Sequence, residues 1–364
     1  MSKRRQERLT ELDLLRVVAL GAVVLIHSLA WIVASPNLPA YTGLREALIG
    51  LSRFCVPAFV FASGLALTWT GSLGGGARAF LVKRWSRIAV PWLAWMPVFA
   101  ALGIVVGGMS TGWRDVGSWL AFGAGHLYFL VLVAQLYLVF LVMPRRGRGL
   151  VAFTVAAMAV QIALGFYRTY LPQPQGPFGW LASQLAFEEA PFYLGYFAVG
   201  CLAGANWSRL AALQRWWPLA AAAVAVTAGV FLAESLTVSP DASRHGTYTF
   251  LWPAQIPLTL SVSLLVLWVG RAYREALRPV GGAISWVSRH SLGLYIVHPI
   301  FLNAAGPRLA GLPAGPRVAL LVALALAGAA LVVAVLERIP WTGITIGERA
   351  RPLALRKGPA RAPA

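Results

Sequence analysis

The chain has 364 residues, of which 59% are hydrophobic and only 12% are charged, with a formal net charge of +19. Soluble globular domains carry about twice that charged fraction, so the composition is typical of a polytopic membrane protein and excludes a soluble enzyme. The Lys and Arg residues are spread over short segments between apolar runs. They form no contiguous basic face, which argues against nucleic acid as a partner.

Apolar runs of spanning length predict an all-α integral membrane protein, a bundle of about ten transmembrane helices. The expected spans are residues 12–33, 47–70, 88–107, 121–143, 150–169, 184–204, 216–234, 251–270, 284–304 and 318–337. If the first span starts in the cytoplasm, 22 Lys and Arg residues fall in cytoplasmic segments and 6 in the opposite loops. This positive-inside bias predicts that both termini are cytoplasmic.

The same pattern divides the chain into three parts. We expect a basic cytoplasmic N-terminus over residues 1–11, a transmembrane domain over 12–337, and a basic cytoplasmic tail without regular structure over 338–364. The tail is rich in Pro and Ala and has no apolar period, as is typical of disordered segments.

The first span is unusual because it carries Asp13, Arg16 and His27. Arg16 and His27 are eleven positions apart, which places them on one face of a helix, about 16 Å apart along its axis. Lipid does not solvate charged groups, so such residues usually face a protein interior or a water-filled cavity. A helix that only anchored the chain would need neither residue, and we therefore expect a functional role for the pair.

Other polar residues fall at matching depths in the predicted topology. The outer half of the bundle is expected to contain Arg53, His126, Glu188, Glu189 and His298. The cytoplasmic side is expected to contain Arg16 near the basic segment with Lys83, Arg84 and Arg87. An imidazole has an ordinary pKa near neutral and can take a proton from a hydroxyl. Arginines bind phosphates through charge-assisted, bidentate hydrogen bonds. The pattern suggests a phosphorylated donor inside, an acceptor outside and a channel between them.

Plainer explanations exist for several of these residues taken one at a time. A membrane histidine such as His298 can serve structure alone by bonding a backbone carbonyl, and Ser63 can bond back to the preceding turn. Glu189 can cap a helix, because acidic residues favour helix N-termini. His126 can be an interfacial residue, and Arg84 and Arg87 can serve only to set the topology.

Six segments in order resemble the membrane acyltransferase 3 family, whose members acylate bacterial surface polysaccharides and related glycans. The first, LDLLRVVALGAVVLIH, is similar to the opening signature of that family, an Arg and a His separated by ten residues. In the fourth segment, Tyr128 stands where the family more often has Trp. The other segments are RFCVPAFVFASG, KRWSRIAVPWL, GHLYFLVLVAQLY, FYLGYFAVGCLAG and SRHSLGLYIVHPIF. The resemblance covers residues 9 to 337 and implies a bundle of ten helices.

The resemblance also implies a location, the bacterial inner membrane, and an activity. It predicts transfer of an acyl group, most often acetyl, from cytoplasmic acyl-CoA to a hydroxyl of a sugar, polysaccharide or glycolipid outside the membrane. Acyl-CoA would be a donor substrate, and neither a permanently bound cofactor nor a metal is expected. In this interpretation His27 is the catalytic base, Arg16 its partner on the same helix, and Arg53 stabilises the oxyanion. The donor phosphates would contact Lys83, Arg84 and Arg87, and the substrate side would include Ser63, His126, Glu189 and His298.

The alternative function is a polysaccharide or small-molecule transporter, in which Arg16, His27 and His298 would form a proton relay. The sequence lacks the inverted repeat and the paired broken helices typical of many transporters, and this favours the enzyme. A purely structural membrane partner would not need the buried Arg and His. Many family members carry a fused extracytoplasmic domain; none is found in this sequence, so we expect such a domain either to be a separate partner protein or to be absent. The acyl group, the acceptor and the oligomeric state stay open at this point.

Overall fold

The computed structural model describes residues 9–34, 42–107, 125–170, 190–237 and 252–348, and within these ranges the regular structure is helical. The α-helices, numbered in chain order, are α1 (Thr10–Ala30), α2 (Thr42–Ser52), α3 (Cys55–Trp69), α4 (Gly76–Gly107), α5 (Tyr128–Val142), α6 (Gly147–Tyr170), α7 (Leu194–Ala205), α8 (Trp207–Ala212), α9 (Trp217–Thr237), α10 (Gln255–Ala272), α11 (Gly281–Arg289), α12 (Ser291–Arg308) and α13 (Ala314–Arg338). Short 3-10 helices are Trp31–Ala34, Gly125–Leu127, Ala190–Phe192, Gln214–Trp216, Arg278–Val280 and Thr342–Ile346.

Six helical stretches within the described ranges are long and apolar enough to cross a membrane. They are Thr10–Val33, Thr42–Trp69, Gly147–Tyr170, Gln214–Leu236, Gln255–Ala272 and Ala314–Arg338. Two shorter apolar helices, α5 and α7, coincide with parts of the predicted fourth and sixth spans. The all-helical, multi-pass membrane architecture is thus confirmed. The total of ten spans and the cytoplasmic side of both termini stay predictions.

Helix α1 lies at the centre of the bundle and packs against α2, α3, α10, α11, α12 and α13. The end of the bundle where α1 begins, at Thr10, is called the proximal end, and the end where α1 finishes, at Ala30, the distal end. At the proximal end, Glu11 is buried and pairs with Arg271 of α10 at 2.9 Å. Because neighbouring helices surround α1, its polar side chains contact protein instead of lipid, which is the arrangement the sequence predicts.

Helix α4 begins at Gly76, twelve residues before the span predicted to start at residue 88. The basic segment before that span is therefore helical and not a loop. Phe80 and Ile88 are buried on one side of these first turns, while charged residues remain exposed on the other. The apolar side of these turns packs on the bundle and stabilises the helix. Judged by its charge alone, this segment would be expected to lie outside the bundle.

The segment after α13 also differs from the prediction of an irregular tail from residue 338 onward. A 3-10 helix forms over Thr342–Ile346, between Trp341 and Gly347, which both have left-handed backbone angles. Ile346 is buried, and the indole nitrogen of Trp95 donates a hydrogen bond to the carbonyl of Thr345 at 2.8 Å. The beginning of the predicted tail therefore packs against α4. Residues 349–364 lie outside the described ranges.

Helices α3 and α7 approach each other closely through glycines. A Cβ atom at Gly200 would overlap the carbonyl oxygen of Phe61, and one at Gly64 or Gly204 would likewise overlap main-chain atoms of the facing helix. Gly200 and Gly204 are four positions apart, the spacing that lets membrane helices pack backbone to backbone. This contact fixes how α3 is rotated, and with it the direction of the α3 side chains.

The first prediction concerns this contact. We expect Gly200→Val to lower the thermal stability of the protein in detergent, because overpacking costs about 1–3 kcal/mol and the overlapping atoms here belong to the backbone. Gly229→Val is the matched control, since a Cβ at Gly229 of α9 meets no atom within 4 Å. Unfolding followed by tryptophan fluorescence compares the two variants. Equal midpoints would show that the close packing of α3 on α7 does not stabilise the fold.

Candidate active site

A cavity of about 850 Å³ opens at the proximal end of the bundle. Four arginines line it: Arg16, Arg84, Arg87 and Arg289. Three acidic residues, Asp13, Glu337 and Glu348, share its walls. Its size falls within the range of sites that bind small molecules and cofactors. Arginine is the residue type best suited to bind the phosphate groups of such a ligand.

Two of the three acidic residues have basic partners within the protein. Asp13 lies 3.8 Å from the guanidinium of Arg16 and accepts a hydrogen bond of 2.7 Å from the hydroxyl of Ser288 on α11. Glu337 lies 3.2 Å from Nε2 of the buried His290. Four arginines against three carboxylates leave the cavity wall with a basic character.

Two of the three basic residues predicted to bind the donor line this cavity. Arg84 donates a hydrogen bond to the hydroxyl of Ser72 at 3.2 Å, and its guanidinium carbon lies about 6 Å from the ring centroids of Phe80 and Tyr137. Arg87 follows one turn later on α4 and also lines the cavity. Lys83 is exposed and is not part of the cavity wall. The rotation of α4 distinguishes these residues, although all three belong to one basic run.

Ser63 lines the same cavity, and its hydroxyl donates to the carbonyl of Phe59 one turn earlier at 2.8 Å. The predicted local bond to the preceding turn is thus present. The residue therefore lies with the arginines of the proximal cavity. Arg16 lies there as well. Of the two polar residues predicted on one face of α1, one therefore lines the proximal cavity and the other, His27, lies three turns further along the helix.

Aromatic side chains form one wall of the cavity. Phe59, Phe129 and Tyr295 line it, with ring centroids 6.0 Å apart for the first two and 5.4 Å apart for the last two. The hydroxyl of Tyr295 donates to the carbonyl of His126 at 2.5 Å. The Tyr295 ring also contacts the rings of His126 and His298, at centroid distances of 5.4 and 6.0 Å. Tyr295 therefore lies between the cavity and a group of histidines.

Three histidines from three elements meet behind this wall. His27 of α1, His126 of the 3-10 helix Gly125–Leu127 and His298 of α12 have ring centroids 5.0 to 6.4 Å apart. Nδ1 of His27 lies 2.7 Å from Nε2 of His298, in a hydrogen bond between residues 271 positions apart in the chain. His298 is completely buried, whereas His27 is only partly buried. We call these three residues the histidine cluster.

Arg53 lies in the turn between α2 and α3. Its charge acts on the His27 ring, and it interacts electrostatically with Tyr128 and Tyr193. The structure therefore brings His27, Arg53, His126 and His298 into one region, as their predicted depths require. Glu188 and Glu189 lie outside the described residues. Within the described ranges, no group of three or more His, Cys, Asp and Glu side chains has a geometry suited to a metal ion.

Several residues of the cavity are not among those predicted from the sequence. Arg289 lies within the predicted span 284–304 and is not among the predicted site residues, although it belongs to the segment SRHSLGLYIVHPIF that also contains Tyr295 and His298. The basic residue at the start of that segment could have indicated that it belongs to the site. Glu348 and Gly347 reach the cavity only because the chain folds back after α13, and the sequence contains no comparable signal for this.

Several apolar helices of spanning length define the class of the chain as a multi-pass membrane protein. The chain matches the acyltransferase 3 model, described as an acyltransferase domain, over residues 9–336. Because this match covers most of the sequence, the protein belongs to the acyltransferase 3 family, as its motifs indicate. No curated protein and no solved structure matches the chain.

Proposed function

We propose that this protein transfers an acyl group, in the simplest case acetyl, from cytoplasmic acyl-CoA to a hydroxyl of an extracytoplasmic sugar, polysaccharide or glycolipid. The location would be a bacterial inner membrane, with the proximal end of the bundle in the cytoplasm. The observation that carries the proposal is the order of groups along α1. An arginine-lined cavity surrounds the start of the helix, and a hydrogen-bonded histidine pair lies three turns further on.

The cavity fits the donor in charge and volume. Arg84 and Arg87 would bind the phosphates of CoA through bidentate hydrogen bonds, with Arg289 at the end of α11 as a further contact. Arg16 would lie along the path of the flexible arm that carries the thioester. That path runs beside α1, past Tyr295, towards His27 over about 16 Å.

The chemistry would be general base catalysis by His27. The acceptor hydroxyl gives its proton to a ring nitrogen of His27 while its oxygen attacks the thioester carbonyl carbon. Arg53 would stabilise the negative charge that develops on the carbonyl oxygen. The carbon–sulfur bond then breaks, and the leaving thiolate takes the proton from His27. The products are the acylated acceptor and free CoA.

The first test is turnover by the purified protein in nanodiscs with radiolabelled acetyl-CoA. Simple glycosides serve as acceptors, and water serves as the minimal acceptor. We expect protein-dependent binding of acetyl-CoA and formation of labelled product or acetate. A folded preparation that binds no acyl-CoA would contradict the proposal and favour the transporter, which substrate flux into proteoliposomes would then test.

A further inference from the structure

We infer that His298 is a positioning residue that fixes the ring tautomer of His27, so that Nδ1 of His27 carries the proton and Nε2 holds the free lone pair. The inference about the tautomer follows from hydrogen-bond geometry alone. Its consequence for catalysis rests on the proposed acyltransferase function. Neither role follows from the sequence, in which the two residues are 271 positions apart.

A backbone carbonyl determines the tautomer of His298. Nδ1 of His298 lies 3.2 Å from the carbonyl oxygen of Leu294, one turn earlier on α12. A carbonyl oxygen can only accept a hydrogen bond, so Nδ1 of His298 must carry a proton. The carbonyl of Tyr295 also interacts with this ring. Pro299 has no N–H to offer that carbonyl, so the helix leaves it available to His298.

The proton on Nδ1 determines the other nitrogen. In a neutral imidazole one nitrogen donates and the other accepts, so Nε2 of His298 holds a lone pair. Nδ1 of His27 lies 2.7 Å from this nitrogen and must therefore donate to it. Nδ1 of His27 is then protonated, and its Nε2 is the nitrogen that can accept a proton.

The relative orientation of the rings supports a true hydrogen bond and not a stacking contact. The planes of His27 and His298 differ by only 11°, and their centroids are 5.0 Å apart. This is the separation expected of two nearly coplanar rings joined end to end through nitrogens 2.7 Å apart. The proton of His27 consequently points along the lone pair of His298, which lies in the plane of its ring.

His126 does not compete for this bond. Its Nε2 lies 3.1 Å from the carbonyl oxygen of Ile296 and donates to it, and its ring lies at 77° to that of His27. The backbone of α12 thus sets the tautomers of both His126 and His298, through carbonyls two residues apart. The tautomer of His298 in turn determines the tautomer of His27.

The consequence for the reaction is specific. Nε2 of His27 takes the proton of the acceptor hydroxyl, and His27 becomes an imidazolium. Its Nδ1–H bond to His298 then becomes charge-assisted and stronger, which stabilises the ion as it forms. The leaving thiolate removes the proton from Nε2 and restores the starting tautomer. His298 keeps its own proton throughout and touches no reacting atom.

The tautomer can be observed directly by ¹⁵N NMR of the full chain in nanodiscs, labelled at its five histidines. Protonated and unprotonated ring nitrogens have well separated shifts, and single His→Gln variants assign the signals. We expect the His27 signal to show a protonated Nδ1 in the wild type. In His298→Phe, which removes the acceptor but keeps a ring, the proton should move to Nε2 in part or all of the population. His298→Gln supplies an amide oxygen in place of Nε2 and should preserve the wild-type tautomer.

His290→Gln is the control for the spectrum. His290 is also buried, and its Nδ1 donates to the carbonyl of Trp286 at 2.8 Å, but it lies at the proximal end of the bundle. Its substitution should leave the His27 signal unchanged. A His27 ring protonated at Nε2 in the wild type, or a tautomer that is unaffected by His298→Phe, would overturn the inference.

Activity gives the second readout. In His298→Phe we expect kcat for acyl transfer to fall by about 10²-fold, within the range that general base catalysis contributes. The KM for acetyl-CoA should stay within about twofold, because His298 does not line the donor cavity, and His298→Gln should recover much of kcat. A fall in kcat of equal size in both variants would contradict the positioning role. If the wild type shows the expected tautomer but no acyl transfer, the proposed function fails while the inference about His298 stands.

Discussion

Replacing His27 with glutamine is expected to lower the rate of acyl transfer by about 10²- to 10⁴-fold, the contribution of a positioned general base. Glutamine can still donate a hydrogen bond to His298 from its amide, so the packing of α1 on α12 should be preserved. It has no nitrogen lone pair that accepts a proton near neutral pH. The measurement is kcat with radiolabelled acetyl-CoA at saturating donor.

Donor binding separates loss of chemistry from loss of fold in this variant. His27 does not line the proximal cavity, so the Kd for acetyl-CoA should remain within about twofold of the wild type. Full activity of His27→Gln would contradict the mechanism, whatever the stability of the variant.

The second large effect concerns the donor phosphates. We expect Arg84→Ala and Arg87→Ala each to raise the Kd for acetyl-CoA by about 10- to 100-fold. A hydrogen bond to a charged group contributes about 1.5–3 kcal/mol, and each 1.4 kcal/mol is tenfold in Kd. Equilibrium binding of labelled acetyl-CoA in nanodiscs, at a fixed low salt concentration, gives the comparison.

Lys83→Ala is the matched control, because Lys83 belongs to the same basic run but is exposed and lies outside the cavity wall. Its substitution should change the Kd by less than about twofold. A second comparison uses acetyl-pantetheine, a thioester donor without the adenosine phosphates. Acetyl-pantetheine should bind more weakly than acetyl-CoA, and its Kd should be the same in the wild type and in Arg84→Ala. Equal losses in Lys83→Ala and Arg84→Ala would show that only net charge attracts the donor, and would contradict a phosphate site in the cavity.

Local features of the sequence determined much of this protein. Apolar runs predict the membrane helices because spanning length and hydropathy are properties of one segment. The spacing of Arg16 and His27 places them on one face because the helical period is fixed. The motifs are also short segments of sequence, and they were sufficient to indicate the family. The match over residues 9–336 confirms that family.

The helix boundaries at the proximal end of the bundle were harder to predict from the sequence. The third span is predicted to start at residue 88, yet α4 begins at Gly76. The chain after Arg338 is predicted to be an irregular tail, yet Thr342–Ile346 is helical and packs on α4. In both cases buried contacts of a few apolar residues stabilise a segment whose overall composition is polar or mixed. Such contacts depend on a partner surface that is remote in sequence.

The sequence by itself thus determined the class of the protein, its family and the set of polar residues from which the site is built. Only the tertiary structure decided which of them meet. The rotation of α4 separates Lys83 from Arg84, and the packing of α12 on α1 joins His298 to His27. The physical reason is that the period of a helix fixes the relative directions of its own side chains, whereas close contacts between helices, such as that of Gly200 with α3, fix how each helix is turned towards the others.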